Sequence, residues 1–143
     1  MPLYFVDSNI WAWYLNKKST YHERIKNFLN ELIQDKENSF LINEFVLLEV
    51  FHYLIKRTSP TQGKKIAKNL LKFSFINIDY SIGDSSSILK VLDILAIYGV
   101  TTTIGGRDSS IIFTMNKFNV TDIITHDKGF LEVKNINVHD PIS

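Results

Sequence analysis

The chain has 143 residues, 45% hydrophobic and 22% charged with only 3 prolines, a globular balance that excludes bulk disorder. Its formal net charge of +1 excludes a chain-wide basic surface, so contact with a nucleic acid has to run through a local patch or a metal ion. With no cysteine, disulfides, thiolate metal sites and cysteine nucleophiles are excluded as well.

Leu3 to Val6 reads as an apolar strand of the kind buried on both faces of a parallel sheet, and it runs directly into Asp7-Ser8-Asn9. Asn9 or Ser8 is expected to cap the helix that follows, with Ile10, Trp13 and Tyr14 on one face. Tyr21 to Gln34 carries Ile25, Phe28, Leu29, Leu32 and Ile33 at helical spacing. Ser39 to Ile42 reads as a second strand, and Asn43 as the cap of a helix from Glu44 to about Lys56. Phe45, Leu48, His52 and Ile55 share one face of that helix and are expected to point inward. Glu49 then lies on or beside an apolar face, an awkward place for a charge without a partner.

Ser59-Pro60 opens the next helix, with Ile66, Leu70 and Phe73 as its buried stripe and Lys64, Lys65, Lys68 and Lys72 as a basic, solvated face. Ser74 to Ile78 is expected to form a third strand. A helix capped near Asp84 runs through Tyr98, with Ile88, Val91, Leu92 and Leu95 inward and Gly99 ending it. Ile104 to Phe130 reads as a loop, a helix started by Asp108, a buried strand and a tight turn holding Asp127. Asn135 to Val138 makes a last short strand. Strands alternating with helices predict an α/β fold, a doubly wound parallel sheet with helices on both faces, over one domain from 1 to 143.

The opening Met1 to Val6 has no basic leader, and its apolar run is cut by Asp7, so no secretory signal is expected. Ile88 to Val100 is interrupted by Lys90 and Asp93 and is too short for a bilayer. The expectation is a soluble cytoplasmic chain.

Four acids stand out: Asp7 and Asp127 at strand ends, Glu49 on a helix and Asp108 at a helix start. Open α/β sheets put ligand sites at the carboxyl edge, where two of these acids fall. Singly they have ordinary readings: a loop cap for Asp7, a helix cap for Asp108, a turn residue for Asp127 and a lysine pair for Glu49. Gathered together they repel, at a cost of about 4 kcal/mol for a pair ~4 Å apart at an effective dielectric of ~20, and need a proton or a cation. Oxygen ligands without cysteine select a hard ion, Mg²⁺ or Mn²⁺ rather than zinc.

Four segments carry a family resemblance. Phe5-Val6-Asp7-Ser8-Asn9 resembles the first motif of PIN-domain ribonucleases, and Leu47 to Leu54, with its single Glu49, resembles the second. Arg107-Asp108-Ser109-Ser110-Ile111-Ile112 is similar to the third, and Thr125-His126-Asp127-Lys128-Gly129-Phe130 to the fourth. The motifs come in order over nearly the whole chain. One departure is Ile111-Ile112-Phe113-Thr114-Met115-Asn116, where the family usually has an alanine-rich helix.

The resemblance implies a flavodoxin-like α/β/α sandwich and a Mg²⁺- or Mn²⁺-dependent endoribonuclease, of the VapC-like kind that forms the toxin of a toxin–antitoxin pair. It implies an RNA substrate, an antitoxin partner and a homodimer. On this reading Asp7, Asp108 and Asp127 hold the metal, and Glu49 orients or deprotonates the attacking water. Asn9 and Thr125 hold carboxylates by hydrogen bonds, while Arg107, His126 and Lys128 contact RNA phosphates. Asp93 is a candidate auxiliary acid. The alternative is a catalytically inactive PIN-like module that binds RNA or protein. A phosphatase resembling the haloacid dehalogenases would need Asp-x-Asp, where Asn9 stands instead.

Overall fold

The computed structural model describes residues 2–143. Its centre is a five-stranded sheet in the order β3-β2-β1-β4-β5, parallel throughout. The strands are β1 (Leu3–Val6), β2 (Ser39–Asn43), β3 (Ile76–Asp79), β4 (Asp122–Ile124) and β5 (Asn137–His139). Between them run α1 (Ser8–Leu15), α2 (His22–Gln34), α3 (Glu44–Arg57), α4 (Pro60–Leu70), α5 (Ser85–Tyr98) and α6 (Gly106–Lys117). The chain steps outward from β1 through β2 to β3, then crosses back to β4 on the other side of β1. Right-handed crossovers therefore put α1 to α4 on one face and α5 with α6 on the other. The packing agrees: α1, α2, α3 and α4 lie against one another, as do α5 and α6. This is the doubly wound architecture expected from the alternation.

The central strands are apolar because both faces are covered. Phe5, Val6, Phe40, Leu41, Ile42, Ile123 and Ile124 are all buried. Trp11 is buried too, edge-on to Phe40. The large side chains of α6 find room: Ile111, Ile112, Phe113, Thr114 and Met115 are buried. Asn43 caps α3 by accepting from the Val46 N–H at 2.9 Å, and Ser59 caps α4 by accepting from the Gln62 N–H at 3.1 Å.

Several local expectations are corrected. The cap of α1 is Asp7, which accepts from the Ser8 N–H at 2.7 Å, because β1 passes into the helix with no intervening turn. Phe45, Leu48 and Ile55 lie on the outer face of α3, as does His52, and the face that packs inward is Val46, Leu47, Val50 and Leu54. α3 is apolar on two faces, and the aliphatic one wins the core. The same ambiguity misplaces α5, whose apolar residues run all round it. Only Ser87 is buried, while Ile88, Leu89, Leu92 and Ile97 are exposed, and so is Asp93. Gly63, Ala67 and Leu70 form the buried stripe of α4, Ile66 being half-buried and Phe73 lying beyond the helix. β3 begins at Ile76 rather than Ser74, and β5 at Asn137 rather than Asn135. Gly99 caps α5 with a right-handed φ of −67°, so no left-handed turn is needed.

Gly63 is where α4 comes closest to α3: a Cβ there would lie 2.8 Å from the backbone N and Cα of Ile55. Backbone cannot move aside as a side-chain tip can. Gly63→Ala is expected to cost about 1–3 kcal/mol of stability in urea unfolding, the range of other overpacked substitutions. A neutral or stabilising result would show that the two helices can separate freely.

Candidate active site

β1 lies where the chain's progress along the sheet changes direction, with β2 on one side and β4 on the other, and the crevice at the carboxyl ends of β1 and β4 is the switch point of this fold. Asp7 follows β1 directly, and Thr125 and Asp127 follow β4. Asp108 enters from the first turn of α6, as its third residue rather than its cap, and Glu49 enters from the middle of α3. Four distant segments thus bring their acids to one crevice.

Asp7 is wholly buried and fully engaged. Its Oδ1 accepts from the Ser8 N–H at 2.7 Å and from Arg107 Nη1 at 2.6 Å; its Oδ2 accepts from the Thr125 hydroxyl at 2.8 Å. Thr125 in turn accepts from the Asp127 N–H at 2.9 Å, tying the two strand-end acids together. Asp127 Oδ1 accepts from the Gly129 N–H at 2.9 Å, which orients the second oxygen toward the crevice. Asn9 makes no hydrogen bond to a carboxylate. Its Oδ1 is buried without a partner, at the wall of a small cavity that Glu49 also lines.

Arg107 occupies the middle of the acids. Besides Asp7, its guanidinium reaches Glu49 Oε1 at 3.2 Å, Asp108 Oδ1 at 2.9 Å and Asp127 Oδ2 at 3.7 Å. It turns inward to the carboxylates, not outward to a substrate. The Asp108 contact has ion-pair distance without hydrogen-bond direction, so that buried oxygen is left without a hydrogen-bond partner. His126 bonds to Asp140, with Nδ1 2.9 Å from Oδ2, and sits by the Trp13 ring, while Lys128 is exposed beside the crevice.

One guanidinium does not balance four carboxylates, and Glu49 and Asp108 are both held above their ordinary values. Burial raises the Asp108 carboxyl above its ordinary value; Arg107 pulls it back, and the charges of Asp127 and Asp7 push it up again. Glu49 is raised by loss of hydration, against Arg107 and with Asp7 and Asp108. Burial would lower Arg107, but Asp7, Glu49 and Asp108 outweigh it and hold the guanidinium more firmly charged.

Among the described residues no three acid or imidazole groups stand together as a ready-made metal cage. The donors nevertheless suit a hard divalent ion: all are carboxylate oxygens, and one buried oxygen of Asp108 lacks a hydrogen bond. Arg107 is the positive charge they now surround.

A second polar network, not foreseen, braces this arrangement from below. Ser110 donates to the Arg107 carbonyl at 2.6 Å, and Asn43 donates to both Ser110 and Thr114 at 3.3 Å. Thr114 donates to Asp79 at 3.2 Å, and Lys117 Nζ lies 3.3 Å from the same carboxylate. Asp79 accepts from Ser81 as a turn residue would, but it is also buried. Burial opposes its charge, and the bonds from Ser81 and Lys117 prevail, holding it below the ordinary carboxylate range. Ser110, Thr114 and Lys117, spaced four and three apart, form a polar stripe on an otherwise apolar helix, which was the available signal.

A family model described as PIN domain matches residues 4–136. No curated protein matches the chain significantly in sequence. Among solved structures, VapC20 of Mycobacterium tuberculosis, described as a Sarcin-Ricin loop cleaving toxin, superposes with a TM-score of 0.72 at 16% identity, over 90% of this chain and 92% of that one. VapBC2 of Rickettsia felis, bound to a DNA fragment from its promoter, gives 0.70 at 20% identity over 96% and 98%. FitAcB of Neisseria gonorrhoeae gives 0.64 at 15% identity over 97% and 98%.

Raised carboxyls mean that the folded state keeps protons the unfolded chain has lost. Stability contributed by Glu49 and Asp108 is therefore greatest below the ordinary carboxylate value of about 4 and falls as pH rises through their raised values. Arg107→Gln removes the balancing charge and should widen that window upward. At pH 7.5 the variant is expected to lose roughly 1–3 kcal/mol in urea unfolding, less than a fully buried pair would cost, and clearly less at pH 5. An equal loss at both pH values would show that Arg107 does not neutralise these acids.

Proposed function

The chain belongs to the PIN-domain family, and on that premise we propose that it is a metal-dependent endoribonuclease and the toxin of a toxin–antitoxin pair. The observation that carries this reading is the gathering of Asp7, Glu49, Asp108 and Asp127 around one positive charge at the switch point of the sheet. Asp7, Asp108 and Asp127 would hold a Mg²⁺ or Mn²⁺ ion in place of the guanidinium. When bound, that ion supplies Lewis-acid polarisation of a phosphodiester and a more acidic water. Thr125 fixes the orientation of Asp7 through its hydroxyl, and Asp127 through its backbone. Glu49, 45% exposed at the rim and raised in pKa, is suited to take a proton on its carboxylate from a water approaching the crevice. His126 and Lys128, at the crevice edge, are placed to meet phosphate oxygens. Asn9 keeps a buried carbonyl oxygen without a hydrogen-bond partner beside the cavity that Glu49 lines.

RNA as substrate and an antitoxin as partner are supported by the similar structures, one a Sarcin-Ricin loop cleaving toxin and another a toxin–antitoxin complex from Klebsiella pneumoniae. A homodimer is supported by α5, where the large apolar side chains Ile88, Leu89, Leu92 and Ile97 are all exposed. No helix among the described residues is long and apolar enough to cross a membrane, in keeping with a cytoplasmic site of action.

Incubated with structured and single-stranded RNAs, the protein is expected to make internal cuts with Mg²⁺ or Mn²⁺ and none with excess EDTA. Asp7→Asn and Asp127→Asn should reduce cutting to background, and Thr125→Val should lose about 10–100-fold, as other groups that orient metal ligands do. Absence of both cleavage and Mn²⁺ binding by calorimetry would replace this reading with a PIN-like binding module that does not cut. For the dimer, Leu89→Glu with Leu92→Glu should halve the mass in light scattering while leaving the circular dichroism spectrum intact. An unchanged mass would place the contact elsewhere.

A further inference from the structure

A sizeable cleft lies away from the carboxylates. It has a volume of ≈ 580 Å³ and sits between the end of α1 and the turn from α3 into α4. Four cations line it: Lys17 and Lys18 after α1, Arg57 at the end of α3 and Lys65 on α4. No carboxylate does. Among the described residues none of the four is in an ion pair, whereas Arg107 and Lys117 both are. In a chain whose net charge is only +1, this is a concentration of uncompensated positive charge.

The cleft is joined to the acids along one face of α3. Glu49, Tyr53 and Arg57 are spaced at i, i+4 and i+8, so they stand in a row, and the row is about 12 Å long at the helical rise. A smaller cavity of ≈ 280 Å³ lies at its start, lined by Glu49, Trp13 and Tyr53. Tyr53 divides it from the basic cleft and is held from both sides. Its hydroxyl accepts from Asn16 at 3.2 Å, and the Arg57 guanidinium stands 5.9 Å over its ring.

We propose that this cleft binds the phosphodiester backbone of single-stranded RNA, a few nucleotides along from the bond presented to the carboxylates. The inference rests on the ribonuclease reading for the direction of the path, and on the cleft itself for the chemistry. A polyanion approaching four carboxylates is repelled, and a charge of +1 over the whole chain does not draw it in. An anchor about 12 Å away lies beyond the Debye length of ~8 Å at physiological salt, so it can attract phosphates without losing that attraction to the acids. An acidic protein segment would also suit four cations. The continuous row of Glu49, Tyr53 and Arg57 favours the RNA, because it leads from the cleft to the crevice past an aromatic ring on which a base can stack.

The test uses the Asp127→Asn protein in EDTA, so that the RNA stays whole, and a labelled single strand of about 12 nucleotides, within the usual site sizes. Lys17→Glu with Lys65→Glu is compared with Lys36→Glu with Lys90→Glu, an equal charge change on exposed lysines outside the cleft. The cleft pair is expected to weaken binding at least tenfold at about 50 mM salt and to reduce the slope of log K against log salt by about 1.4, the value for two single-strand phosphate contacts. The control pair should change the slope little. Equal effects in the two pairs, or retained RNA affinity with loss of an oligoglutamate of matching charge, would overturn the proposal. Metal-dependent cleavage alongside unchanged RNA binding would overturn it too while leaving the nuclease reading intact. Loss of RNA binding in the cleft pair alone would uphold it even where nothing is cut.

Discussion

A buried carboxylate bonded from three sides is the constraint on which the crevice depends. Asp7 accepts from the start of α1, from the residue after β4 and from a side chain of α6, so three elements are fixed in relation to one charge. A group so placed cannot be neutralised by solvent, and breaking any one of its bonds leaves a buried anion short of a donor. Everything else gathered there follows from giving these two buried oxygens their donors. Arg107 is drawn inward, and three more acids share its guanidinium. The Asn43, Ser110, Thr114 and Asp79 network then holds the carbonyl end of Arg107 from beneath.

Much of this was legible in the residues, and for a simple reason. A strand buried on both faces is a run of apolar residues, and the first charge after it has to sit at the sheet's edge. Asp7 and Asp127 could be placed from that alone, and the sheet order puts them side by side. The helices were less legible where they are apolar on more than one side. In α3 the sets Phe45, Leu48, Ile55 and Val46, Leu47, Val50, Leu54 are both at helical spacing, and periodicity cannot say which one meets the sheet. Glu49 drew attention as a charge on an inward face. It is in fact nearly half exposed, and it belongs to the cluster through α3's approach to α6 rather than through burial. Arg107 shows the complementary blind spot. Beside an acid in the sequence, an arginine reads as a substrate contact, and only the convergence of the other three acids shows why it turns in.

The charges of the molecule are sorted by place. Acids collect at the β1–β4 boundary, unpaired cations collect between α1 and α4, and the exposed apolar residues lie chiefly on α3 and α5. A net charge near zero thus hides separate regions of opposite sign. The apolar face of α5 belongs to the opposite side of the sheet from the basic cleft, so the two can be occupied at once.

The span of the chain that separates the bonded groups at Asp7 has a kinetic meaning. Thr125 follows Asp7 by 118 residues and Arg107 by 100. In a chain made from its amino terminus, β1, β2 and β3 with α1 to α5 can meet before α6 and β4 exist. The crevice cannot close until both have emerged, because the middle of the sheet is paired by a strand from near the far end. Pairings this distant form late and slowly, after the local helices. A nascent chain therefore holds no completed set of acids until α6 and β4 have left the ribosome. Whatever the crevice does, it begins only once both are in place.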